Sequence, residues 1–190
     1  MRTLALLAAL LAPLQATAMD FVRDPRSDDD DLILYARGTI EKGDAGRFVT
    51  FLAKQPPTKG HTVVVLTSAG GMVDEAKAIG AIIEKRHYVT FAMDAACSSA
   101  CVLAWAAGAQ KFAMNGTCIG VHGATVGGVA KQSPGPVEDV QTLGMMKWIA
   151  TRGAPHNVLV KMLGTPAGAI YCLTAADLKA WDVDIMEDKP

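Results

Sequence analysis

The sequence predicts a single α/β domain with mainly parallel strands, and three observations carry that expectation. Residues 62–66 (TVVVL) form a continuous apolar run, the composition of a strand buried on both faces. A glycine pair and a helical apolar pattern follow it, and the same order of strand then helix recurs at 88–92 and 98–107. Such alternation implies parallel strands joined by right-handed crossovers.

The elements follow in chain order. Residues 1–18 have the form of a secretory leader, with Arg2 at the positive end, an apolar run from Leu4 to Leu14 and a small-residue cleavage site at Ala16-Thr17-Ala18. Its removal leaves about 172 residues, which suits one domain with a substantial core. No later stretch approaches the roughly 20 apolar residues of a membrane-spanning helix, so the expectation is an exported, periplasmic or secreted protein without a membrane span. The segment 19–31, with four consecutive aspartates in DPRSDDDD, reads as a flexible acidic arm. It lacks the alternating ligands and glycine of a calcium loop. The domain proper is expected over 32–190.

Residues 32–36 alternate as a strand, and Asp44 is placed to cap a helix carrying Phe48, Phe51 and Leu52. After the strand at 62–66, Val73, Ala76, Ile79 and Ile83 mark a helix. Strands at 111–114 and 118–121 follow the 98–107 helix. Residues 123–136, GATVGGVAKQSPGP, read as a long loop, and 137–152, 156–163 and 174–180 as helices.

Composition excludes several partners. The formal net charge is -1, with no basic patch to attract nucleic acid. The four cysteines form no pair of C-x-x-C motifs, so no metal site is expected. In an oxidising compartment they are disulfide candidates. Cys97 with Cys101, four residues apart across one helical turn, is the first choice, and Cys118 with either of them the second.

Two constellations could carry chemistry. In TVVVLTSAGG the glycine pair follows a buried strand and leaves backbone N–H groups at a helix start, where they can hold an oxyanion. In DAACSSACVLAWAAG, Ser98 and Ser99 lie where a strand meets an apolar helix, a place that suits either a nucleophile or an ordinary N-cap. His122 closes the strand CIGVH and could take a serine proton, or simply make a strand-end hydrogen bond. His61, His87 and His156 lie at element boundaries and are assigned no chemistry.

Together, the turn SAGGMVDEAKAIGAII, the segment CSSACVLAWAAG and the strand CIGVH resemble the Clp protease proteolytic subunit (ClpP) and the wider crotonase superfamily, and within it an exported bacterial branch. The resemblance covers residues 36–185 and implies a ClpP/crotonase-like spiral of βα units. It implies Ser99 as nucleophile, His122 as general base, and the amides of Gly70, Gly71 and Ala100 as oxyanion donors. The implied activity is that of a serine hydrolase, a peptidase acting on an extended peptide or protein without a cofactor. Assembly into a homo-oligomer is implied as well, and the 137–152 helix with its Met145, Met146 and Trp148 suits such an interface or, equally, core packing.

The chain departs from the family pattern in three places. Ala69 replaces a proline, cysteines bracket Ser99, and residues 167–170 (Ala-Gly-Ala-Ile) stand where the family has the aspartate that orients histidine. Asp139 or Glu138 are the candidate replacements. The missing acid supports a second reading, a lapsed enzyme that binds a peptide or protein partner.

Overall fold

A computed structural model describes residues 18–28, 30–124 and 136–187, the side chains of 136–139 excepted. The expected leader up to Thr17, most of the 123–136 loop, and the side chains of Glu138 and Asp139 lie outside the described residues. In chain order the elements are β1 (Asp20–Arg23), β2 (Leu32–Arg37), α1 (Asp44–Leu52), β3 (Thr62–Ser68), α2 (Val73–Lys85), β4 (Val89–Ser98), α3 (Ala100–Trp105), β5 (Lys111–Met114), β6 (Cys118–Val121), α4 (Pro136–Ala150), α5 (His156–Gly164), β7 (Tyr171–Cys172), α6 (Ala175–Ala180) and β8 (Asp184–Met186).

The strands form one sheet in the order β1-β2-β3-β4-β5-β8, with β6 and then β7 branching from β4. Only β1/β2 and β6/β7 are antiparallel among these pairs. The chain is thus a mixed α/β domain with a mainly parallel sheet. Its core joins β3 (Val64, Leu66), α2 (Ile79, Ile83) and α3 (Leu103, Trp105), all essentially without solvent contact.

The branch at β4 positions the site. Thr90–Ala92 pair with β5, whereas Ala96–Ser98 pair with β6. Between the two halves β4 bulges: Leu66 pairs with Ala92 but Ser68 pairs with Cys97, and Asp94 takes a positive φ of 62°. This strand therefore runs well past the 88–92 expected from sequence, because hydrogen bonding to a second neighbour sustains a segment whose side chains, Asp94 and Ala95 among them, lack an apolar pattern.

One expectation needs correction, and one open alternative is decided. The 19–31 segment is no flexible arm: Asp20–Arg23 pair with β2, and Asp24 is 2% exposed, accepting hydrogen bonds from Arg26 and from Tyr35 Oη (2.9 Å). Specific partners satisfy the carboxylate, which removes the usual cost of burying it. In α4, Met145 is fully buried and Trp148 donates its indole N–H to Leu103 O at 2.9 Å, so both face the domain interior. Val140 (69% exposed) and Leu143 face out instead.

Candidate active site

The turn after β3 depends on its glycines. Gly70 and Gly71 have φ of 107° and 140°, values side chains disfavour. Ile40 clamps the turn, donating to Gly70 O and accepting from Met72 N, both at 2.8 Å. A Cβ on Gly71 would lie 2.1 Å from Ile40 O. The Gly70 N–H, one of the expected oxyanion donors, is engaged by Ser68 Oγ at 3.0 Å, so the structure corrects that assignment. Ser68 fills this role because β3 extends to it and buries its hydroxyl beneath the turn. The Gly71 N–H donates to no partner among the described residues.

Ser99 is the single residue between β4 and α3. Its backbone lies at φ 56° and ψ -127°, a conformation costly for a residue with a side chain. Three constraints hold it there. Its N–H donates to Gly120 O at 2.8 Å, the Cys97–Cys101 disulfide straddles it, and Gly70 packs so closely that a Cβ there would stand 2.6 Å from Ser99 Cβ and 3.0 Å from Ala100 N. Ser99 makes no side-chain capping bond to α3, so the N-cap account of its hydroxyl fails. Ser98 points away: a Cβ on Gly120 would meet its Oγ at 2.3 Å, so it packs against β6. The Ala100 N–H, at the first position of α3, has no partner among the described residues.

Ser99 lines a groove of about 780 Å³ that runs from Ile40 and Gly71, past Met72 and Lys77 on the α2 side, to Val140 and Gly144 of α4. The structure thus brings Ser99 and Gly71 to one groove, with the Ala100 amide next in the chain to Ser99 and packed against Gly70.

His122 follows directly on β6, two residues beyond Gly120, whose carbonyl holds Ser99. It is 7% exposed, and burial pushes its pKa below the ordinary 6.5. Its Nδ1 lies 2.5 Å from Gly123 O. A carbonyl can only accept, so Nδ1 carries the proton and Nε2 is the free basic nitrogen. Gly123 in turn donates its N–H to Thr165 O at 2.9 Å. No hydrogen bond joins His122 to Ser99 Oγ, and His122 is not among the residues lining the groove.

The antiparallel register of β6 and β7 pairs Gly120 with Cys172 and Val121 with Tyr171 and ends there, with Ile170 the residue just before the pair. Ile170 Cγ2 would lie 2.6 Å from a Cβ on Gly120. An apolar side chain therefore stands on β6 where an orienting acid is expected, and a backbone carbonyl holds the imidazole instead. Sequence reasoning missed this role of Gly123, because a carbonyl leaves no mark on residue identity.

The second disulfide joins Cys118 to Cys172 and ties β6 to β7. The expected alternative, Cys118 with Cys97 or Cys101, is not formed, because the Cys97–Cys101 bond consumes both. The even number of cysteines was the available signal for Cys172. Two disulfides are consistent with an extracellular or periplasmic location. Among the described residues no helix is long and apolar enough to cross a membrane, and no group of three or more His, Cys, Asp or Glu could hold a metal ion.

No protein-family model and no curated protein matches the chain. Solved structures do match. One is the crystal structure of the ClpP protease catalytic domain from Plasmodium falciparum, with a TM-score of 0.56 and 15% sequence identity, covering 80% of this chain and 83% of that one. The chain has a ClpP-like fold; at this identity the likeness speaks for the fold alone.

Proposed function

We propose that the groove is the active site of an exported serine hydrolase, a peptidase acting on extended peptide or protein substrates. Ser99 Oγ attacks the substrate carbonyl and passes its proton to His122 Nε2. The N–H groups of Gly71 and Ala100 stabilise the resulting oxyanion. On collapse, His122 returns the proton to the leaving amine, and water then hydrolyses the acyl-enzyme by the same route. Closure of Ser99 onto His122 accompanies substrate binding, since catalytic hydrogen bonds often tighten only in the complex.

The observation that carries this reading is the conformation of Ser99. A serine held at positive φ, its hydroxyl making no cap bond to α3, with two amides beside it that have no partner among the described residues, stores roughly 1–3 kcal/mol of strain that simple capping does not require. Export is supported by the leader-like residues 1–18, removed after Ala18, and by the two disulfides. The test is a serine-directed fluorophosphonate probe followed by peptide mapping. Labelling at Ser99 that is lost in Ser99→Ala and weakened in His122→Ala supports catalysis, and no labelling of the folded protein removes it.

One finding favours a second reading. With Ala-Gly-Ala-Ile at 167–170 in place of an orienting acid and no Ser99–His122 hydrogen bond, the groove suits a protein that keeps the fold and binds an extended peptide without cleaving it. Peptide binding without probe labelling is its signature.

A further inference from the structure

We infer that Lys77 makes the groove selective for peptides carrying a carboxylate, a deepening that rests on the reading of the groove as a peptide site. Lys77 lines the same groove as Ser99, one helical turn beyond Asp74 on α2. Its Nζ lies 3.5 Å from where a Cβ on Gly144 would stand. The ammonium therefore occupies the gap between α2 and the glycine face of α4, at one wall of the groove.

Several cations elsewhere in the fold are already paired. Lys161 sits on Asp177 at 2.6 Å, Arg152 on Glu84 at 2.6 Å and Arg26 on Asp24 at 2.7 Å. Lys77 is partly buried, yet it makes no hydrogen bond or ion pair among the described residues. The carboxylates lining the groove, Glu41 and Asp74, both lie beyond ion-pair distance of it. A partly buried lysine with no counter-charge among the described residues favours a ligand that supplies one. The two carboxylates repel that same charge, so an acidic residue of a bound peptide is directed to the α4 wall, and this fixes the peptide's direction past Ser99.

The experiment measures binding, so it does not depend on turnover. Purified protein carrying Ser99→Ala is titrated against fluorescein-labelled, C-amidated octapeptides of Ala and Leu in which one Glu, Gln or Lys is walked through the positions, with anisotropy as the readout. At one position Glu binds about threefold to tenfold more tightly than Gln, and Lys more weakly than either. The preference shrinks with added salt, survives Lys77→Arg, vanishes in Lys77→Met and inverts in Lys77→Glu, with thermal melts confirming that each variant is folded. Equal binding of Glu and Gln peptides at every position, or a preference that persists in Lys77→Met, overturns the role of Lys77 and leaves the peptide groove standing. Failure of every peptide to bind removes both.

Discussion

A side chain on Gly70 would begin 2.6 Å from Cβ of Ser99, so the turn after β3 and the turn before α3 meet backbone to backbone. Neither can move without the other. Gly70→Ala collides with Ser99 and with Ser98 O at 2.8 Å, and it forces alanine to a φ of 107°. The expected cost is about 2–4 kcal/mol, seen as a lower midpoint in denaturant, together with loss of probe labelling at Ser99. Unchanged stability would mean that the two turns are not in contact.

Ser68→Ala leaves the buried Gly70 N–H without its acceptor. Such an orphaned amide costs roughly 1–3 kcal/mol. Chemical denaturation should show the loss, whereas Ser68→Thr, which keeps a hydroxyl, should retain part of the stability.

The depressed pKa of His122 sets a pH dependence with a definite sign. Above pH 6.5 the imidazole is neutral in both folded and unfolded chains and takes nothing from stability. As pH falls through 6.5 the unfolded chain takes up the proton first, so stability declines until the lower folded pKa is reached. Melting temperature should fall across that window in the parent and less steeply in His122→Gln. The rate of labelling at Ser99 should keep its neutral-pH value to below pH 6.5. An acid limb above 6.5 would contradict the burial of His122.

Ile170→Asp places a carboxylate one residue beyond the Val121–Tyr171 pair, beside the strand that His122 directly follows. The position is 46% exposed, so the lost apolar contact is modest. A negative charge beside the imidazole raises its pKa and stabilises the imidazolium formed during attack. Labelling at Ser99 should become about tenfold faster at neutral pH, with the acid limb moved upward. No change in either would show that position 170 does not reach the histidine.

The two disulfides should differ in effect. Cys118–Cys172 closes a sequence separation of 54 residues, Cys97–Cys101 one of 4. Chain entropy assigns about 4 kcal/mol to the first and about 2 kcal/mol to the second. Paired Cys→Ala variants should therefore lose more stability at 118/172. The 97/101 pair, which brackets the strained Ser99, should lose more of the labelling rate per unit of stability lost. Equal effects of both on labelling would detach that bond from the nucleophile turn.

Much of the framework was legible because apolar pattern and glycine placement report local structure directly. The run at 62–66, the helical spacing of Ala76, Ile79 and Ile83, and the strand ending at His122 all became elements close to their expected bounds. The short strands β1 and β7 were not legible. Their residues have no apolar alternation, and each exists because a neighbour offers hydrogen bonds, β2 in one case and β6 in the other. The acidic arm misled for a related reason: Asp24 looks solvated until Arg26 and Tyr35 are brought beside it.

By itself, the sequence determined that a buried strand ends in a glycine pair, that a serine stands at a second junction of strand and helix, and that a histidine closes a later strand. These follow from local composition, since backbone freedom, capping preference and burial are properties of short segments. Only the tertiary structure decided which amides lack a partner among the described residues, which carbonyl holds His122, that Cys118 pairs with Cys172 and where Lys77 stands. Those depend on strand register and on contacts between residues far apart in the chain, where a shift of one position turns every side chain of a strand to the other face without altering any local pattern.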